Sequence, residues 1–317
     1  MTRRANHALL DHAKLSKRDE FYTLYTDIER ELQHYTRHFM NKTVYCNCDD
    51  PRTSNFCRYF TDNFTRLGLR RLICSCYRRY EADLFSSAHD GGFYRDYTGR
   101  ENLDDITRFE GNGDFRSHEC IELLRQSDIV VTNPPFSLFR EYLRQLTHYG
   151  KKFLIISNIN AITYKEVFTL IQSGEIWLGV NFGRGISGFI VPEDYPLYGT
   201  ETRADEHGNH IISPNNCLWL TNLDSPKRHE FIPLTKTYRG HESEYPFYDN
   251  YPAINIDSTR DIPADFAGTM GVPVTFLHKH SPEQFEILGF RKGNDGKDLR
   301  INGRSTYFRI LIRNKQL

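Results

Sequence analysis

The chain has 317 residues, of which 38% are hydrophobic and 14% aromatic, with 41 Lys and Arg balanced by 41 Asp and Glu. This length can bury the core of one large domain or two unequal ones, and the apolar content excludes a disordered chain. No apolar run reaches the roughly 18 residues that a membrane-spanning helix needs. The opening "MTRRANHALLDHAKLSKRDE" has no continuous apolar segment, so a signal peptide is not expected and the cytoplasm is the expected location.

From residue 20 to 160, helix-like and strand-like segments alternate. Tyr25, Ile28, Leu32 and Tyr35 share one helical face. "TVYCNC" follows as a strand, then a helix over "RTSNFCRYFTDNFTRLGL" that Gly68 stops, then "LRRLICSCY" as a second strand. A polar, glycine-bearing stretch over 86–105 precedes a third strand, "DIVVT". A helix with Leu138, Tyr142 and Leu146 on one face ends at Gly150, and "KKFLIIS" is the fourth strand. Strands separated by helices predict an α/β fold with a mostly parallel sheet. "EIWLGV", "ISGFIV" and "NNCLWLTNL", with the polar loop "ETRADEHGNH" between them, predict antiparallel strands at the end of that sheet. Residues 223–275 are rich in Pro, Tyr and Asp with little periodicity. "SPEQFEIL" reads as a helix start with a Ser cap and Pro at its first position. "LRINGRSTYFRILIR" reads as a hairpin around Asn302–Gly303.

The seven cysteines fit a reducing compartment. Cys46-x-Cys48 and Cys74-x-Cys76 lie in strand-like runs, and their spacing is narrower than zinc sites use, so buried thiols are preferred to a metal site. The zero net charge hides two basic ends. Residues 1–18 carry five Lys/Arg against one Asp, and residues 287–317 carry eight against two Asp. Such ends suit phosphate, although solvated faces would look the same.

The segment with the most chemistry is "SDIVVTNPPF". Two successive prolines fix two φ angles and remove two N–H donors, giving a stiff exit that holds Asn133 and Phe136 in fixed directions. The exit follows a strand, and ligands of parallel sheets bind at the carboxyl ends of strands. Asparagine's carbonyl oxygen accepts a hydrogen bond from an exocyclic amine, the Pro134 carbonyl can accept the second amine hydrogen, and Phe136 offers a stacking face. Such a trio suits methylation of a base amino group.

With these residues the chain resembles the EcoRI-type adenine-specific DNA methyltransferases. The likeness runs from "SKRDEFYT" through "VYCNCDDPRTSNF", "GNGDFRSHE", "DIVVTNPPF" and "IPADFAGTMGVPVTFLHKHSPEQFEILGF" to "RILIRNK". It implies a Rossmann-like class I methyltransferase fold, S-adenosylmethionine as methyl donor, duplex DNA as substrate and N6-methyladenine as product. It also implies a catalytic domain over 1–222 and a DNA target-recognition region over 223–317. Asn133, Pro134 and Phe136 match the catalytic motif. Tyr22 and Thr23, in "FYT" from Phe21, match a motif near the methionine part of the cofactor. Asp114 and Phe115 match the position that binds the cofactor's adenine. Asp49 and Asp50 fall where the cofactor loop begins, although "DDPRTSNF" replaces the usual glycine-rich loop and no acidic residue follows the second strand. Arg291, Lys292, Arg300 and Arg304 are candidate DNA contacts near the C-terminal end, and Arg95 is a candidate in the glycine-bearing stretch.

A restriction endonuclease acting on the same site is an expected partner, and a monomer is expected. Two other readings remain open at this point: methylation of RNA or of a protein amide, and a binding-only relative. A cytosine-C5 enzyme is disfavoured, because it needs a nucleophilic cysteine, usually after proline, and no Pro-Cys pair occurs.

Overall fold

The computed structural model describes residues 22–78, 91–100, 103–181, 185–191, 201–205, 208–213, 216–291 and 298–317. A two-residue strand, β1 (Tyr22–Thr23), precedes helix α1 (Tyr25–Leu32), which continues as a 3-10 segment to His38. Then come β2 (Thr43–Cys46), α2 (Asn55–Asp62), α3 (Phe64–Leu67), β3 (Arg71–Cys76), β4 (Phe93–Tyr97) and β5 (Thr107–Arg108). Helix α4 (His118–Gln126) leads to β6 (Ile129–Thr132), α5 (Phe139–His148) to β7 (Lys152–Asn158), and α6 (Lys165–Gln172) to β8 (Trp177–Leu178). Strands β9 (Phe189–Val191), β10 (Glu201–Ala204), β11 (His210–Ser213) and β12 (Cys217–Thr221) follow. The rest is mainly strands and short 3-10 turns: β13 (Phe247–Tyr248), β14 (Tyr251–Asn255), β15 (Thr269–Pro273), β16 (Phe285–Arg291), β17 (Arg300–Ile301), β18 (Arg304–Ser305) and β19 (Arg309–Asn314).

These elements form two compact units. One comprises the chain up to Ile159 with Asn181–Leu223, and the other comprises Asn160–Val180 with Asp224–Leu317. In the first, seven strands run in the order β5-β4-β3-β2-β6-β7-β12. β2 is parallel to both β3 and β6, and β6 is parallel to β7. All four residues of β2 and of β6 are buried, as expected of strands covered on both faces. The fold is α/β, but its sheet is mixed: β4 pairs antiparallel with β3, β5 antiparallel with β4, and β12 antiparallel with β7. Antiparallel strands therefore flank the parallel centre on both sides. Of the extra pair, β4 comes from the glycine-bearing stretch, where "FYRDY" buries Phe93 and Arg95 on alternate positions, and β5 follows that stretch.

Gly68 ends α3 in the left-handed conformation at φ 62°, as its position after a helical run suggests. Ile28, Leu32 and Tyr35 are fully buried along the expected α1 face. A second sheet of the first unit, β1-β9-β11-β10, is antiparallel, so "ISGFIV" joins it and not the main sheet. The polar segment expected as a loop forms the β10–β11 hairpin, turning around Gly208 at φ 81°.

The second unit is built on the sheet β13-β14-β15-β19-β16, antiparallel except between β14 and β15. "SPEQFEIL" does not start a helix there. Gln284 is buried and its side chain binds both the N–H and the C=O of Ile232 (2.7 and 2.9 Å), which holds the segment extended into β16. The hairpin around Asn302–Gly303 is present as β17–β18. Among the described residues no helix is long and apolar enough to cross a membrane. The seven cysteines are free thiols, and no cluster of His, Cys, Asp or Glu suited to a metal occurs among the described residues.

Candidate active site

The chain leaves β2 towards β3 on one side and returns to β6 on the other, so the carboxyl ends of these three strands border a topological switch point. Asn47 to Pro51 follow β2, and Asn133 to Phe136 follow β6. Asn133 is half-buried, Pro134 is buried, and Pro135 is extended (φ −61°, ψ 120°) before a single 3-10 turn that opens at Phe136.

Four sequence segments close into one circuit of contacts around Asn133. Asp49 is buried, and its carboxyl accepts a hydrogen bond from Ser54 Oγ (2.6 Å) and another from Thr132 Oγ1. Ser54 caps α2 by accepting from the Phe56 N–H. The next residue, Asn55, donates from Nδ2 to the Thr23 carbonyl (2.9 Å). Thr23 lies opposite Phe189 in the β1–β9 pair, and the Phe189 ring meets the Phe136 ring edge-on at 6.4 Å. Thr132, which anchors to Asp49, immediately precedes Asn133. The motifs expected at the site are therefore brought together, through partners that no motif names.

The GNGDF segment joins them from the β3 side. Gly113 has φ +76°, and a Cβ there would lie 2.4 Å from the Cys76 carbonyl oxygen. Gly113→Ala should therefore lower stability by at least about 2 kcal/mol, through backbone strain and the clash. Thermal unfolding reads this, and an unchanged melting temperature would refute the close approach. Asp114 holds Arg116 through three hydrogen bonds, from N–H (2.9 Å) and Nε (2.8 Å) to Oδ1, and from the guanidinium to Oδ2 (2.6 Å). The Arg116 guanidinium keeps this carboxyl below its ordinary value, so it stays ionised at neutral pH. A carboxylate has about four acceptor directions, which leaves one on Oδ2. The Phe115 ring packs edge-on against Tyr142 at 5.1 Å, and Tyr142 donates to Asn47 Oδ1 behind β2.

The two aspartates after β2 differ. Burial, reinforced by Cys57, pushes the Asp49 carboxyl up to about 8. Asp50 binds its neighbour Arg52 at 2.9–3.2 Å by the same Asp-x-Arg arrangement as Asp114 and Arg116. Arg95, a candidate DNA contact, is instead almost fully covered and donates to the Pro51 carbonyl (2.5 Å), bracing the loop after β2. On β4 it pairs with Cys74 of β3, and its side chain is buried. In the second unit the Arg291 guanidinium lies over the Tyr251 ring at 4.8 Å, and Arg300 and Arg304 are exposed on the hairpin. Phe21 and Lys292 lie outside the described residues.

Sequence reasoning missed Ser54, Thr132, Arg116 and Phe189. The Ser-Asn-Phe cap and the repeated Asp-x-Arg were visible signals for two of them. Thr132 and Phe189 depend on strand pairing and had none.

The exit after β6 thus sets an amide, two prolines and an aromatic ring at a strand end, and similarity to known proteins identifies the family. The family model described as adenine-specific methyltransferase EcoRI matches residues 9–315, and the chain belongs to that family. It is 63% identical to the Type II methyltransferase M.EcoRI of Escherichia coli, over 100% of this chain and 99% of that protein. It is 36% identical to the Type II methyltransferase M.MgeORF184P of Mycoplasma genitalium, over 97% of this chain and 99% of that protein. It is 32% identical to the Type II methyltransferase M.MpnI of Mycoplasma pneumoniae, over 96% and 98%. No solved structure matches the chain.

Proposed function

We propose that this chain methylates N6 of an adenine flipped out of duplex DNA, using S-adenosylmethionine, as the modification partner of a restriction endonuclease. The observation that carries the reading is the Asn133-Pro-Pro-Phe exit at the switch point, tied by contacts to the Thr23, Asp49 and Phe189 segments. A Rossmann-like class I methyltransferase fold is the finer description that the parallel β3-β2-β6-β7 centre supports. We assign the catalytic domain to the unit bearing these motifs and DNA recognition to the region after Leu223, acting as a monomer in the cytoplasm.

The residues fit the cofactor on two counts. Thr23 Oγ1 is buried without a hydrogen-bond partner, and Asp114 keeps one acceptor direction for an amine. Thr23 with Tyr22 would hold the methionine part, and Asp114 with Phe115 the adenine. S-adenosylmethionine supplies, when bound, a methyl group on a positively charged sulfur. Asn133 Oδ1 and the Pro134 carbonyl accept the two hydrogens of the target amine and aim its lone pair. Phe136 stacks on the extruded base, at an extrusion cost of about a few kcal/mol. The amine's surplus proton leaves to solvent after transfer, so no strong base is required. Asp49 acts at one remove by fixing Thr132, and with it the start of the Asn133 exit. Asp50 anchors the loop through Arg52.

The test is transfer from methyl-labelled S-adenosylmethionine to unmethylated plasmid DNA, RNA and protein in parallel. Label in DNA adenine supports the reading, and label confined to RNA or protein overturns it. Thr23→Val separates the cofactor role from packing. Losing a buried, unpaired hydroxyl should not lower stability. Calorimetric titration should nevertheless show S-adenosylmethionine binding weakened by about five- to tenfold. Unchanged affinity would remove Thr23 from the cofactor site.

A further inference from the structure

The β17–β18 hairpin of the second unit is an unusually fixed protrusion. Asn302 and Gly303 both have positive φ (50° and 74°), the pairing that a tight hairpin turn requires. The turn is held from below, because Asp249 accepts from the Asn302 and Gly303 N–H groups (3.1 and 2.7 Å). Asn250 holds the incoming strand by accepting from the Arg300 N–H (3.0 Å) and donating to the Asp298 carbonyl (2.5 Å). The base of the hairpin is Leu299, buried in a cluster with Tyr248, Ala253 and Leu311. On this support Arg300 and Arg304 are both exposed. Among neighbouring carboxylates, Asp249 holds the turn and Asp257 pairs with Arg309 (3.1 Å), while Asp298 Oδ1 is buried without a hydrogen-bond partner.

Two residues after the hairpin, Tyr307 is 61% exposed, the most exposed tyrosine among the described residues. Its ring is stacked on Phe308 at 4.6 Å with an interplanar angle of 20°. Phe308 in turn packs edge-on against Phe290 (5.8 Å), and Phe290 lies against Phe168 of α6 (5.1 Å). Arg309, buried between Asn255 and Asp257, donates to the carbonyls of both Tyr307 and Phe308 (3.4 and 3.3 Å). A line of packed rings thus runs out to the largely exposed Tyr307, and the hairpin carries two exposed guanidinium groups. Cation and flat ring together match a nucleic acid, in which phosphates alternate with bases that stack once unstacked from their neighbours.

We propose that the segment Arg300–Phe308 is a nucleic-acid docking element in which Arg300 and Arg304 meet backbone phosphates and Tyr307 stacks on an unstacked base. The inference rests on the proposed DNA substrate and adds an aromatic contact to the basic residues already named. Phe308 and Arg309 act behind Tyr307 and keep its ring from folding back onto the protein.

The two parts predict different signatures, which makes the test specific. Full-length parent, Arg300→Ala/Arg304→Ala, Tyr307→Ala and Tyr307→Phe would be titrated with sheared unmethylated plasmid DNA, duplex and heat-denatured, over a range of salt concentrations. The double arginine variant should bind both forms more weakly, with its log–log salt slope flattened by about two. Tyr307→Ala should weaken binding of denatured DNA by about tenfold or more with the slope unchanged, and Tyr307→Phe should behave as the parent. Parent-like binding of both DNA forms by the double arginine variant and by Tyr307→Ala overturns the proposal. So does loss of methylation with unchanged DNA affinity, which would assign the hairpin to a protein partner. Methylation by the parent is scored separately. Failure there with hairpin-dependent binding counts against the enzymatic reading and leaves the docking element standing.

Discussion

Asn133→Ala is expected to reduce methyl transfer by at least on the order of 10²–10³-fold, the scale of losing one preorganised polar contact to the reacting group. S-adenosylmethionine affinity and unfolding should remain close to those of the parent, because Asn133 lies on the exit of β6 and Thr132 keeps that exit anchored to Asp49. Asn133→Asp should lose less, since a carboxylate still accepts from the amine. Single-turnover rates with saturating cofactor separate these outcomes. A parent-like rate for Asn133→Ala would remove the amide from the chemistry.

The second large effect lies one contact away. Asp49→Ala should damage both stability and turnover, because it leaves the Ser54 and Thr132 hydroxyls buried without their shared partner, at about 1–3 kcal/mol each. Asp49→Asn should be far milder, since an amide offers one acceptor and one donor, as a protonated carboxyl does. The two differ in pH dependence. Burial and Cys57 raise the Asp49 carboxyl from an ordinary 3.8 to about 8. The folded chain therefore keeps a proton that the unfolded chain has released across this window. The stability contributed by that proton is complete below about pH 4 and is lost as pH rises towards 8. Relative to Asp49→Asn, the parent should become progressively less stable between pH 5 and pH 8, and denaturant unfolding at both values reads the difference. Parallel stability curves for the two proteins would refute a buried, proton-holding Asp49. If Asp49 were instead a cofactor ligand, Asp49→Asn would weaken S-adenosylmethionine binding and leave the single-turnover rate at saturation intact.

Much of the parallel centre could be read directly, because β2, β6 and β7 are continuous apolar runs and strands buried on both faces look like that. The Asn133 exit was legible for a related reason: stiff backbone chemistry after a strand has few structural uses. The antiparallel additions were harder. "FYRDY" and the β10–β11 hairpin are polar, and their pairing depends on neighbours distant in sequence. "SPEQFEIL" carries a valid helix-start signal that the buried bonds from Gln284 to Ile232 override. The same limit applies at the site. The presence of Asp49, Asp114 and Arg95 was visible, but their partners were not. Asp49 faces Ser54 and Thr132, Asp114 already holds Arg116, and Arg95 supports Pro51. Those pairings separate a ligand from a brace, and they exist only once the strands are side by side.

The most direct test of the central claim is mass spectrometry of nucleosides from plasmid DNA, prepared in a host lacking its own adenine methylation and expressing this chain. N6-methyladenine in that DNA, absent from a vector-only control, is the expected result. Folded protein at normal levels with no N6-methyladenine in the plasmid would contradict it.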